Sequence, residues 1–276
     1  MLYPFFESTR RLIESIDNVD LTTYPYDDDQ LLQMLKDSAF SPIITSFSKV
    51  VPSFQRLTIN RTLPDNKNET IRNLKFLKYP PSESVTKFGR ANLKNQSILY
   101  GTFILPTAVF ELKPTIGDLV TISVWTLKNT DTSLVVFPIV DYDKCSDIQL
   151  LEEFIKALFD LPEGWKDIII SDNNIIAKCF SKFVEKGKST NYLFSASYAD
   201  RIFKYNGGEI EAIIYPSVQD PVNSANIAIK PQAFDDKYQI SEIRECMVIS
   251  HNILGLYLKD IKVTDSVDDN GNIIWK

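Results

Sequence analysis

The side chains of this sequence that could do chemistry fall into a few short segments. Arg61 closes the alternating run FQRLTINRTL, and Arg90 follows Gly89 in KFGRANLKNQSILYG, where Tyr100 ends a strand-like stretch. Glu111 sits in LPTAVFELK, Ser217 lies just past the apolar EAIIYP, and Asn226 opens NIAI. A polar residue at the exit of an apolar strand is a common place for a site. Each also has an ordinary structural reading. Arg61 can pair with a surface carboxylate, Glu111 can be a solvated helix charge, and Ser217 can cap a turn. The single histidine, His251, lies in the apolar VISHNILGLYL and reads as structural. Ser-His-Asp, Cys-His and multi-histidine metal sites therefore lack their imidazoles. Cys145, Cys179 and Cys246 are far apart, an odd count without CxxC spacing, which argues against a disulfide framework or a cysteine zinc site. GxGxxG, GxxxxGK[ST], HExxH and GxSxG are absent. An enzyme built on this chain must work with Arg, Glu, Asp, Ser, Tyr and Asn, and no metal is expected.

The elements that position these residues alternate irregularly. Residues 1–50 read as a helical extension. Phe5, Leu12, Ile13 and Ile16 form one apolar face against Glu7, Arg10, Arg11 and Glu14, and a second helix over 28–36 starts on an acidic run that suits its dipole. From Ser53 the pattern turns to β-branched alternation. FQRLTINRTL, SILYGTF, DLVTISVWTLK, SLVVFPIVDY, EAIIYPS, NIAIKPQAF and QISEIRECMVI are predicted strands. LPTAVFELK, with Pro106 in its first turn, is a predicted short helix, and helices are expected over 147–159, 174–186 and 191–205. Asn270-Gly271 marks a terminal hairpin. No regular βαβ repeat appears, so the class is α+β. The expected division is a 1–50 extension, a 51–250 main domain and a 251–276 hairpin tail packed on it.

Composition bounds the partners. With 276 residues, 44% hydrophobic and 24% charged, the chain can bury a full core and is not disordered. A net charge of -6 disfavours direct nucleic-acid binding. The first twenty residues carry charges inside the would-be apolar run, so no signal peptide is expected, and no window is apolar enough for a membrane span. A cytoplasmic protein is the simplest expectation.

Read together, the segments resemble the RES domain family, named for Arg, Glu and Ser. The matching residues, in order, are Arg61; Gly89-Arg90-Ala91-Asn92; Leu99-Tyr100; Thr107-Ala108 with Glu111; Tyr215-Pro216-Ser217; and Asn226-Ile227-Ala228-Ile229. The resemblance implies an ADP-ribosyltransferase-like fold, a split mixed β core flanked by helices with NAD in a cleft. It implies an enzyme that destroys NAD by phosphorolysis or hydrolysis, typically the toxin of a toxin–antitoxin pair. NAD would be substrate, not cofactor, and inorganic phosphate a co-substrate. An antitoxin protein and a homodimer are compatible partners. On that reading Arg61, Glu111 and Ser217 are catalytic, and Arg90, Tyr100 and Asn226 bind NAD. The arginines would fork onto phosphate oxygens. Tyr100 would pack on the nicotinamide or its ribose, and Glu111 would face the oxocarbenium ion. Ser217 would fix the ribose, and Asn226 would contact an amide or tie the Ser217 loop. Two alternatives stay open: transfer of ADP-ribose onto a protein, and a non-catalytic binding module on the same scaffold.

Overall fold

The computed structural model describes residue 11 and residues 20–37, 45–162, 164–218, 224–252 and 255–276. The helix expected around Phe5 to Ile16 lies outside the described residues, as does the side chain of His251. The fold is α+β. Nine strands form the sheet: β1 (Phe47–Lys49), β2 (Ser53–Ile59), β3 (Leu99–Thr102), β4 (Leu119–Leu127), β5 (Leu134–Pro138), β6 (Ala212–Pro216), β7 (Ala225–Ile229), β8 (Tyr238–Asn252) and β9 (Gly255–Thr264). Their order is β1-β5-β6-β7-β3-β2-β4-β8-β9, antiparallel except for β5 beside β6. Six described helices accompany them: α1 (Asp28–Asp37), α2 (Leu105–Leu112), α3 (Ile148–Ala157), α4 (Trp165–Ser181), α5 (Leu193–Lys204) and α6 (Pro231–Lys237). No described helix is long and apolar enough to cross a membrane.

The connectivity forces this sheet to curl. β1 and β2 are joined by residues 50–52 alone, yet they stand five strand positions apart. Five spacings make roughly 24 Å, whereas the link from Lys49 to Ser53 reaches about 14 Å at most. The two half-sheets, β1-β5-β6-β7-β3 and β2-β4-β8-β9, therefore fold toward each other around a shared core. Val136, Ile214 and Ile227 of the first half meet Phe54, Trp125 and Ile243 of the second in that core. Phe234 of α6 joins them, with Trp125 edge-on at 4.7 Å, while Phe54 meets Tyr238 at 5.0 Å. Burial of each such ring is worth about 1.5–3 kcal/mol. Helices α4 and α5 cover the outer face of the first half through Phe180, Tyr198 and Ile202. On the second half, α2 lies over Leu57, Ile122, Cys246 and Val248 through Ala108 and Val109.

The halves barely hold hands at the middle. β2 and β3 share one residue pair, Gln55 opposite Thr102. Where the next rungs would form, the Arg56 guanidinium donates instead to the Tyr100 carbonyl at 3.0 Å.

Several sequence expectations change. NIAIKPQAF is not one strand: the strand stops at Ile229, and Pro231, at the start of α6, opens a helix whose first N–H needs no partner. α4 begins at Trp165, nine residues before the expected 174, behind Gly164 in a left-handed conformation that breaks the chain (φ 84°). The long terminal hairpin is β8–β9, and the 250/251 boundary falls inside β8. The Asn270-Gly271 turn closes only the isolated bridge Val267–Ile273. β1, within the presumed extension, is an edge strand of the sheet, and Arg201 of α5 donates to the Leu35 carbonyl of α1 at 2.7 Å.

Candidate active site

A cleft of about 400 Å³ opens at the seam between the half-sheets. Its walls are α2 on one side and residues 183–192 on the other, and Tyr100, Tyr215 and Asn226 stand on its sheet side.

The carboxylate of Glu111 is held at one end of this cleft. Its Oε1 accepts from Asn226 Nδ2 at 2.7 Å, from Ser217 Oγ at 2.9 Å and from the Val218 N–H at 3.3 Å. Pro106 stands in the first turn of α2 and Lys113 ends the helix in a left-handed C-cap, which fixes Glu111 on the last turn. Ser217 is fully buried where β6 stops, and Asn226 faces it from β7, opposite Tyr215. Three residues expected to act together, spread over more than a hundred positions of sequence, thus share one oxygen.

The Gly89-Arg90-Ala91-Asn92 turn forms the next wall. Gly89 N–H donates to the Asn92 carbonyl at 3.0 Å. The Tyr100 hydroxyl accepts from the Ala91 N–H at 2.8 Å and donates to Asn92 Oδ1 at 2.7 Å. A Cβ at position 89 would stand 2.1 Å from Asn92 Oδ1 and 2.8 Å from that hydroxyl, so only glycine fits. Burial raises the Tyr100 and Tyr215 pKa values well above the usual phenol range, and the nearby Glu111 charge adds to the shift at Tyr215. Both remain neutral phenols at neutral pH. Arg90 donates from Nη1 to the Phe180 and Lys182 carbonyls, the latter at 3.1 Å, and lies 5.0 Å from the Tyr192 ring. It ties the end of α4 to the turn while still lining the cleft.

Arg61 is not there. It sits beyond β2 and does not line the cleft. It forks onto Asp118, Nε to Oδ1 at 2.5 Å and Nη2 to Oδ2 at 3.0 Å. Asp118 also accepts from the Thr115 N–H and hydroxyl. The Arg61 bonds hold the Asp118 pKa below the usual carboxylate range, and Asp118 in turn raises that of Arg61. The physical reason is direction: the short helical turn Asn60–Thr62 carries Arg61 away from the seam toward the 115–118 loop.

The arginine that does line the cleft is Arg56. Its Nη1 is spent on the Tyr100 carbonyl, and its Nε is buried without a hydrogen-bond partner. It forms no ion pair among the described residues. Burial pulls its pKa down to about 10, so it stays charged at neutral pH in a place that disfavours charge. The signal available in sequence was a lone cation inside the otherwise strand-like SFQRLTI. Compared with protein-family models and with curated proteins, the chain matches none.

Proposed function

We propose that this cleft binds NAD and cleaves its nicotinamide–ribose bond, the activity that the RES resemblance implies. The observation that carries the reading is the pairing of opposite needs in one cleft. Arg56 is a half-buried cation, its Nε enclosed, without a carboxylate partner among the described residues, and Glu111 is a carboxylate braced by three donors. A dinucleotide supplies a pyrophosphate for the first and a developing cation for the second.

In the reaction the C1′–N bond breaks and its electron pair leaves with the nicotinamide nitrogen, which departs neutral. The ribose carbon becomes oxocarbenium-like. Glu111 stabilises that charge, and Ser217, Asn226 and the Val218 N–H keep its carboxylate from swinging away. Arg56 and Arg90 hold the phosphates, and Arg56 takes the part expected of Arg61. Tyr100 and Tyr215 line the ribose side. Water or inorganic phosphate then gives its lone pair to C1′; with water, one proton is released. A protein of this kind would act in the cytoplasm, where NAD is abundant, as a toxin restrained by a partner protein.

The test is product analysis. Purified protein incubated with NAD should release nicotinamide, with ADP-ribose as co-product if water attacks and its 1″-phosphate ester if phosphate does. Intact NAD with and without phosphate overturns the reading.

A further inference from the structure

The catalytic end of the cleft leaves its rim unexplained. Phe183 is 59% exposed and lines the cleft. Lys113 lines the same rim, and its ammonium sits 4.9 Å from the Phe183 ring centre. Lys113 ends α2 with φ 49° and ψ 57°, a conformation in which helices usually place glycine. A lysine there brings a cation to the cleft two residues past Glu111.

An aromatic face that attracts a cation also stacks on a nucleobase. An exposed cation–π contact is weaker than a charge-assisted bond from an ammonium to a phosphate oxygen. We propose that Phe183 and Lys113 form the base-and-phosphate end of a nucleotide site: the base stacks on the Phe183 ring, and the Lys113 ammonium turns from the ring to the phosphates. This rests on reading the cleft as an anion site built on Arg56. It adds to the NAD reading which residues take the base and which end it enters, with the base at the rim and the scissile ribose at Glu111.

Calorimetric titration of the full chain with ADP and with inorganic pyrophosphate separates base from phosphate. Wild type should bind ADP at least about tenfold more tightly than pyrophosphate. Phe183→Ala should erase that preference while leaving pyrophosphate affinity unchanged, and Phe183→Trp should keep it. Lys113→Gln should weaken both ligands by the same severalfold factor. Both positions are exposed, so melting curves should match wild type. The inference is overturned if wild type shows no preference for ADP, or if Phe183→Ala weakens both ligands alike or neither. If pyrophosphate still binds in an Arg56-dependent way, the anion reading survives that failure; if wild type binds neither ligand, both fall.

Discussion

Two arginines five residues apart carry the main lesson of this molecule. Arg61 is 42% exposed at its side chain and fully answered by Asp118. Arg56 lines the seam and, among the described residues, is answered only by a backbone carbonyl. Residue type does not distinguish them; what surrounds each does. A cation matched by its own chain closes a loop, whereas a cation left unmatched in a cleft awaits charge from elsewhere. The same contrast separates the cleft from the Asp118 corner as a whole, and it can be broken by substitution.

Under the proposed NAD cleavage, the largest effect should come from the carboxylate of Glu111. Glu111→Gln keeps an acceptor for Asn226 and Ser217 but removes the charge, so turnover should fall roughly a hundredfold or more, about 3–4 kcal/mol. Its melting temperature should stay close to wild type. Steady-state kinetics beside a thermal melt decide this, and full activity would make Glu111 a structural bracket for the Ser217 loop.

Next in size is Arg56→Gln. Loss of charge-assisted bonds should weaken NAD or pyrophosphate binding about tenfold to a hundredfold. Stability should hold or rise, because a half-buried charge without an ion-pair partner among the described residues is removed. A melting temperature that drops steeply with ligand affinity intact would reverse the contrast between the two arginines.

The smallest functional effect belongs to Arg61→Gln, with KM and kcat expected within about twofold of wild type, because Arg61 does not line the cleft. Its signature is pH-dependent stability. The folded pKa of Asp118 is lowered, chiefly by its hydrogen bonds from Arg61. The stabilisation is therefore present above the ordinary aspartate value and is lost as pH falls through the folded one. Wild type should melt above the variant at pH 7, and the gap should narrow as pH falls below the ordinary aspartate range. A gap independent of pH would remove Asp118 from the account.

Much of this was legible in the chain. SFQRLTI and LVTISVWTL alternate as strands and are strands. Asp147 was placed at the start of a helix, and its side chain caps α3 by accepting the Leu150 N–H at 3.0 Å. Glu111, Ser217 and Asn226 could be singled out because each ends or opens an apolar element, and the fold brings those ends together. Which arginine faces the cleft was not legible, since it depends on where β2 parts from β3, a property of two strands about forty residues apart and not of either one. β9 was hidden because LKDIKVT is charged and edge-like. The Pro231 helix was hidden because the apolar strand runs straight into it.

The single rung at Gln55 and Thr102 makes the seam a line of weakness under load. A ligand gripped by Arg56 on one side and by Arg90 on the other would span that line like a staple, bearing tension the missing rungs cannot carry. Under the proposed activity the occupied state would be the mechanically whole one, and each release of product would reopen the crack.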